Sequence, residues 1–191
     1  MLVLGLFTSA ASGQILWNES TQGDLSGDRL VPTALSLSTG SNLLTATSGP
    51  GDREYLTFTI PTGKVLSGIT LVSYAGLDGT AFLGIQQGSV FTEPPSGTVV
   101  GNLLGYAHFG TGPGNVGGNI LPAVGQGAGA QGFTAPLPAA SYAVWLQQLG
   151  SPATYQFNFA VTAVPEPSQV GMAVGGLLLA AAVVQRSRKA R

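Results

Sequence analysis

The chain has 191 residues, a formal net charge of −1 and no cysteine, which excludes disulfides and metal sites built on thiolates. Its body has no basic stripe that would neutralise phosphates, so nucleic-acid binding is disfavoured. The 29 glycines and 12 prolines interrupt the chain too often for long helices in the body and favour short strands.

Residues 1–13 have the composition of a secretory signal peptide. An apolar run, MLVLGLF, is followed by the small residues of a cleavage region at 8–13. No Lys or Arg precedes the run, which a start codon assigned too far downstream would explain; the alternative is a buried N-terminal strand. We therefore predict export, with a mature chain that begins near Gln14.

Residues 14–163 form the body, which is long enough for one domain with its own core. Its apolar segments recur at regular intervals and are separated by Gly and Pro turn signals, so we predict an all-β fold, a single antiparallel β-sandwich of jelly-roll-like type. The alternation of apolar and polar residues predicts a core that includes Phe58, Ile60, Phe157 and Phe159. The predicted strands are residues 31–37, 42–47, 55–60, 65–74, 81–87, 99–109, 139–148 and 155–161.

Two features of the second half of the body refine this prediction. In the strand at 139–148, Tyr142, Val144 and Leu146 share one face and Trp145 points to the other. The Gly-rich stretch 110–132 contains only one short apolar piece, at 119–124, and is predicted to be a long loop or a weak edge.

Two stretches of the body carry a family resemblance. One is GDREYLTFTIPTG at 51–63, and the other is SYAVW at 141–145 followed by YQFNF at 155–159. Together they resemble pre-peptidase C-terminal type β-sandwiches, which commonly have an acidic turn, a strand that ends in Pro-x-Gly and a final pair of strands of this kind. The resemblance implies a β-sandwich and no particular activity.

The usual motifs of catalysis and cofactor binding are not supported. Residues 112–117 and 127–132 both fit G-x-G-x-x-G, but neither opens a predicted helix and no acidic residue lies about twenty positions further on, where a ribose contact would need one. His108 has no second histidine and no cysteine with which to form a metal site or a catalytic triad. We expect flexible loops, an ordinary strand histidine, no cofactor and no catalytic residue.

Acidic residues in two predicted loops offer one candidate metal site. The body carries seven acidic and three basic residues. Asp24 and Asp28 bracket one short turn, Asp52 and Glu54 bracket Arg53, and each pair offers two oxygens to calcium at an edge of the sandwich. The alternative is solvated turn acids paired with Arg29 and Arg53. A hydrolase built on Asp52 and Glu54 has no supporting local signature.

Residues 164–191 have three parts in a fixed order. The first is a Pro-Glu-Pro motif at 164–168, and the second is an uncharged run at 169–185, predicted to be a transmembrane helix. Its core of fifteen residues, 170–184, would cover only about 23 Å of a hydrocarbon layer about 30 Å thick, so the basic end must help to hold it. An apolar run of this length also occurs as a buried core helix. The third part is the tail 186–191, whose stop-transfer residues are Arg186, Arg188, Lys189 and Arg191.

This order of parts resembles the PEP-CTERM sorting signal, also catalogued as an ice-binding protein C-terminal domain. The resemblance implies processing by an exosortase, a bacterial membrane protease, at the motif formed by Val164, Pro165, Glu166, Pro167 and Ser168. It also implies an intermediate anchored in the inner membrane, with the body outside the cytoplasm and the basic tail inside, and then a cell-surface or extracellular product.

Two functions of the body stay open at this point. The favoured one is a non-catalytic protein of the cell surface or extracellular matrix, associated through the PEP-CTERM resemblance with exopolysaccharide-producing bacteria. The alternative is a carbohydrate-binding module whose partner is polysaccharide, with stacking candidates Trp17, Trp145, Tyr74 and Tyr106. For each of these aromatic residues the alternative role is packing in the core or on a sheet face.

Overall fold

A computed structural model describes residues 13–164 of the chain. The predicted transmembrane helix and basic tail, all but one residue of the signal peptide, and the sorting motif from Pro165 onward lie outside the described residues. Within 13–164, no helix has both the length and the apolar character that crossing a bilayer requires.

The described part of the chain contains nine strands, two α-helices of about one turn each and one short 3₁₀ helix, Val100–Asn102. It is therefore mostly β, as the sequence predicts. The helices are α1, Glu19–Gln22, and α2, Leu121–Gly125. The strands in chain order are β1 (Gln14–Asn18), β2 (Thr33–Leu35), β3 (Gly40–Ser48), β4 (Arg53–Thr59), β5 (Lys64–Gly76), β6 (Ala81–Gln87), β7 (Gly105–Phe109), β8 (Ser141–Gln147) and β9 (Ala153–Ala163).

The strands form two sheets. Sheet A has the order β1-β3-β9-β5, and sheet B has the order β2-β4-β8-β6-β7. From β1 to β6 the chain alternates between the two sheets, so consecutive strands seldom pair with each other. The last strand, β9, lies between β3 and β5 and pairs antiparallel with both of them.

The prediction of a wholly antiparallel sandwich is wrong at two edges. Strand β1 runs parallel to β3, and β2 runs parallel to β4. After β1 the chain crosses to sheet B as β2 and returns to sheet A as β3, and after β2 it crosses to sheet A as β3 and returns to sheet B as β4. A crossover connection of this length allows the returning strand to run parallel to the first one. The parallel pairs also depart from a jelly roll, which belongs to the antiparallel architectures.

The inner faces of the two sheets pack against each other and form the main core. Phe58 of β4 contacts Phe159 of β9 with ring centroids 5.7 Å apart, and Phe109 of β7 contacts Phe157 of β9 at 4.8 Å. The four predicted core residues, Phe58, Ile60, Phe157 and Phe159, are all buried. Period-two alternation therefore identified the inner faces correctly.

The outer face of sheet B carries a second, smaller apolar cluster. Trp145 points to this side, as predicted, and packs with Tyr55, Phe91 and Leu103. The segment between β6 and β7 covers the cluster and is held by Gln86, whose amide accepts from the Thr92 N–H at 2.7 Å and donates to the Asn102 carbonyl at 3.0 Å. Trp145 is consequently buried although it faces away from the main core.

The Gly-rich stretch contains a helix that the sequence prediction missed. Helix α2 lies on the apolar piece at 119–124 and buries Leu121 and Val124 against the main core. Asn119 fixes its start, since its side-chain oxygen accepts from the Leu121 N–H at 3.1 Å and from the Ile69 N–H of β5 at 3.0 Å. Pro122 suits the first turn, where its missing N–H is not needed.

Candidate functional site

Carboxylates converge where the chain passes from sheet A to sheet B. After β3, Gly49 and Asp52 exchange two backbone hydrogen bonds, 3.0 and 3.3 Å long. Pro50 and Gly51, with a φ of +86° at the glycine, occupy the two central positions and match a type II turn. The turn sends β4 into the opposite sheet and places Asp52 and Glu54 at the end of the sandwich.

Glu54 is a charged residue at an inward-facing position. It lies on the same face of β4 as Leu56 and Phe58, whose side chains belong to the core. Its exposed fraction is 0%, and within the described part of the chain no group donates a hydrogen bond to either carboxylate oxygen. Burying a carboxylate in this way destabilises the folded state, because folding removes the water that hydrates the carboxylate and no donor replaces those hydrogen bonds.

Helix α1 brings Glu19 to the same place. The Asn18 side chain caps the helix by accepting from the Ser20 N–H at 3.1 Å, which fixes the turn that carries Glu19. The half-buried Glu19 carboxylate accepts from the Thr47 N–H of β3 at 2.6 Å. That hydrogen bond holds α1 against the end of sheet A.

Asp24 completes the group from the loop after α1. Gly23 ends the helix with a φ of +87°, and the Trp17 indole donates to its carbonyl at 3.0 Å. Asp24 follows with an exposed side chain. One oxygen each from Glu19, Asp24 and Glu54 lies within 4.8 Å of the other two. We call these three residues the carboxylate cluster.

Burial and mutual repulsion act on the cluster and on its neighbour Asp52. Burial, followed by the neighbouring carboxylates led by Glu19, raises the pKa of Glu54 to about 9. Burial also raises the pKa of Glu19 to about 7, although the N–H groups that it accepts from act in the opposite direction. Burial and the charge of Asp24 raise the pKa of Asp52. Each shift disfavours the charged form.

The arginines near these acids in sequence bind elsewhere. The Arg53 Nε donates to the Gln147 side chain at 2.8 Å on the outer side of sheet B. Arg29 donates to the backbone carbonyls of Phe91 and Thr92. The alternative of turn acids paired with these two arginines therefore does not describe the cluster.

Two further buried polar groups lie close to Glu54. The hydroxyls of Ser48, the last residue of β3, and of Tyr155 on β9 are buried and interact with each other, and neither has another hydrogen-bond partner among the described residues. Burial raises the pKa of Tyr155 well above its usual range, and the charge of Glu54 raises it further. This end of the core is therefore polar, and it can either retain protons or accept a cation.

Two of the four calcium candidates from the sequence join the cluster, and two do not. Asp24 and Glu54 meet in it, whereas Asp52 lies outside the converging set and acts on Glu54 through its charge and through a side-chain hydrogen bond that favours a protonated Glu54. Asp28 is exposed, and its carboxylate instead accepts from the Leu30 N–H at 2.9 Å. Glu19 was missed because it lies 35 positions before Glu54, so no local pattern connects the two residues. Extending the alternation of 56, 58 and 60 back to 54 would have indicated that Glu54 faces inward.

The aromatic candidates for sugar stacking are divided in the same way. Trp145 and Tyr74 are buried, and Trp17 is partly buried beside α1. Tyr106 is partly exposed on the outer face of sheet B, next to Phe82 and the exposed His108. His108 lies on β7, as expected for an ordinary strand histidine.

Comparison with known proteins supplies no relative for this chain. No protein-family model matches it. The resemblances to PEP-CTERM tails and to pre-peptidase C-terminal type sandwiches therefore stay predictions from the sequence. No curated protein and no solved structure matches the chain either.

Proposed function

We propose that the chain is an exported, non-catalytic protein of the bacterial cell surface or extracellular matrix, sorted and cleaved by an exosortase at residues 164–168. One observation supports the proposal: the last described strand, β9, ends directly before the motif. Strand β9 ends at Ala163, and the Val164 N–H donates a hydrogen bond of 2.8 Å to the Gly63 carbonyl. Pro165 follows immediately and cannot continue the ladder, since it has no N–H.

Cleavage at that point would leave the sandwich complete. Strand β9 is a central strand, paired with β3 from Gly40 to Ser48 and with β5 from Lys64 to Gly76. These pairings use residues up to Ala163, so a cut after Val164 removes none of them. The released product would be a folded body, and the membrane-inserted stub would remain with its basic end inside the cytoplasm.

The position of the cluster supports a non-catalytic body. A general acid or base must reach the proton that it transfers, within about 3 Å of the substrate atom. Glu54 has no exposed surface, so a hydrolase built on Asp52 and Glu54 would have one of its two carboxyls out of reach of a substrate. The favoured role is therefore binding or structure at the cell surface, with an exosortase and the membrane as partners during export.

The sorting motif gives the first testable prediction. Replacing Pro165, Glu166 and Pro167 together by alanine lets helix continue toward the body and removes the charge that the protease would read. We expect uncut precursor to accumulate in the inner membrane of a host that has the exosortase. Immunoblots of membrane and secreted fractions measure this directly.

A second variant separates recognition from anchoring. Replacing the four basic tail residues by alanine leaves the motif intact but weakens membrane retention and orientation. Precursor is then expected to be misplaced rather than stably held in the membrane.

The outcome that contradicts the sorting prediction concerns the first variant. Normal cleavage and release of the protein with alanine at Pro165, Glu166 and Pro167 would show that the motif has no sorting role.

Carbohydrate binding is the second candidate function, and an aromatic patch on sheet B favours it. The rings of Phe82 and Tyr106 stack with centroids 5.9 Å apart, and His108 lies edge-on to both. A groove of about 240 Å³ beside the patch is lined by Phe82, His108 and polar groups from Asp78 and Gln147, among others. Flat rings suit the apolar faces of sugars, and polar groups beside them suit hydroxyls. This patch replaces the buried Trp145 and Tyr74 as the candidate surface.

Tyr106 is the residue whose removal tests this candidate. We expect Tyr106→Ala to weaken binding to an exopolysaccharide at least tenfold, because it removes half of the stacked pair. Tyr106→Phe is the matched control: it keeps the ring and loses only the hydrogen bond from the hydroxyl to the Ala128 carbonyl. A glycan array identifies the ligand, and affinity electrophoresis measures the change. Equal binding by the alanine and phenylalanine variants would remove the patch as the site.

A further inference from the structure

We infer that Glu19, Asp24 and Glu54 bind one calcium ion at the end of the sandwich where the chain crosses from sheet A to sheet B. Asp52 lies beside them and adds negative charge to the site. The inference concerns a site different from the sorting motif and from the aromatic patch. Its geometry depends only on residues of the folded body.

The spacing of the oxygens fits a shared cation. Calcium binds oxygen ligands at about 2.3–2.6 Å, so two ligands on opposite sides of the same ion are separated by at most about 5 Å. The converging oxygens of the cluster all lie within 4.8 Å of one another. A single ion can therefore contact all three carboxylates without a change in the fold.

Glu54 is the observation that points to a ligand. Acidic residues often gather on a surface without binding anything, but Glu54 has an exposed fraction of 0%, and in the described part of the chain no donor reaches its two carboxylate oxygens. Its neighbours Glu19 and Asp24 bring more negative charge, and the arginines closest in sequence to these acids bind elsewhere. A divalent cation satisfies the free oxygens and neutralises the charge in one step.

The donor set favours calcium over other metals. All three donors are carboxylates, which are hard oxygen ligands, and the chain has no cysteine. The only histidine, His108, lies on β7 and does not belong to the cluster. Magnesium demands a near-ideal octahedron, whereas calcium accepts the irregular set that a helix, a loop and a strand provide.

A bound calcium ion would cross-link three segments of the fold. Glu19 belongs to α1, which follows the edge strand of sheet A, Asp24 belongs to the next loop, and Glu54 belongs to β4 of sheet B. The ion would therefore fix the N-terminal segment to both sheets. If the protein is exported, as proposed above, a dissociation constant of about 10⁻⁴–10⁻³ M is sufficient for calcium to be bound, because extracellular calcium-binding modules have dissociation constants in that range.

The test is calcium titration of the full chain after treatment with chelator. Isothermal titration calorimetry should give a dissociation constant of about 1 mM or lower, and calcium at a hundredfold excess over that constant should raise the melting temperature by about 5–10 °C. Glu54→Gln keeps the shape of the side chain and should weaken binding at least tenfold. Asp24→Asn should weaken binding as well, and because Asp24 is exposed, that loss cannot be attributed to a damaged core.

Asp28→Asn is the matched control, because it makes the same chemical change in the same loop at a residue outside the cluster. It should bind calcium as the unaltered chain does. The inference is overturned if about 10 mM calcium produces neither heat of binding nor a shift in melting temperature. That concentration is about tenfold above the dissociation constant of the weakest extracellular modules. It is also overturned if Glu54→Gln and Asp24→Asn bind as the unaltered chain does, or if magnesium gives an equal response.

Discussion

Replacing Phe157 by alanine is expected to lower the free energy of unfolding by about 3–5 kcal/mol, the usual cost of removing a fully buried aromatic side chain. Phe157 lies on β9, the strand between β3 and β5, and has no exposed surface. Its ring contacts Phe109 from the opposite sheet at 4.8 Å and Tyr155 and Phe159 on its own strand at 5.6 and 6.3 Å. The substitution therefore opens a cavity at the contact between the two sheets.

Leu77→Ala serves as the control for this prediction. Leu77 is a large apolar residue that follows β5 and is 97% exposed, so its truncation should change the free energy of unfolding by less than about 0.5 kcal/mol. Urea unfolding followed by circular dichroism measures both variants. A loss below about 1 kcal/mol for Phe157→Ala would mean that the inter-sheet contact is not the centre of the core.

The strands and their inner faces could be predicted because they depend on local pattern. Residues 155–161 alternate apolar and polar side chains, and Tyr155, Phe157, Phe159 and Val161 are all buried. A half-buried strand imposes this period of two regardless of where it pairs. The pattern does not encode the pairing partner, so the parallel edges formed by β1 and β2 could not be read from it.

The burial of Trp145 depends on a long-range event. Its outward direction follows from alternation in β8, but its cover comes from the irregular segment that contains Phe91 and Leu103. That segment has no periodic pattern of its own and is positioned by the side chain of Gln86. Sequence periodicity predicts which face a residue occupies, and it does not predict what a loop places over that face.

The carboxylate cluster depends both on local sequence pattern and on long-range contacts. Asp24 and Glu54 are candidates from sequence because acidic residues beside predicted turns can offer oxygen ligands to calcium, and Asp28 is a candidate for the same local reason. Only the fold brings α1 beside the β3–β4 turn, through the parallel pairing of β1 with β3 and the hydrogen bond from the Thr47 N–H to Glu19. The residues of such a site can be proposed from sequence, but their selection requires the topology.

The stability of the cation-free protein is expected to increase on acidification from pH 8 to pH 6. Burial raises the pKa of Glu54 to about 9, from an ordinary value of 4.5, so between these two values the folded protein holds a proton that the unfolded chain has released. A group of this kind contributes its full stability below the unfolded pKa and loses it as the pH rises through the folded pKa. Glu54 alone should therefore lower the free energy of unfolding by up to about 1.4 kcal/mol for each pH unit of increase in this window.

Glu54→Gln should remove the part of this pH dependence that comes from Glu54, because the amide is neutral at every pH and keeps a similar shape. Glu19, whose pKa is raised to about 7 by burial, would still titrate in the variant, so a weaker slope should remain below pH 7 and disappear above it. Urea unfolding in chelator at pH 6, 7 and 8 measures both proteins. The variant should be the more stable of the two at pH 8, because folding of the unaltered chain there requires Glu54 to take up a proton that the unfolded chain has released. Equal slopes for the two proteins between pH 7 and pH 8 would show that Glu54 is not the group that binds the proton on folding.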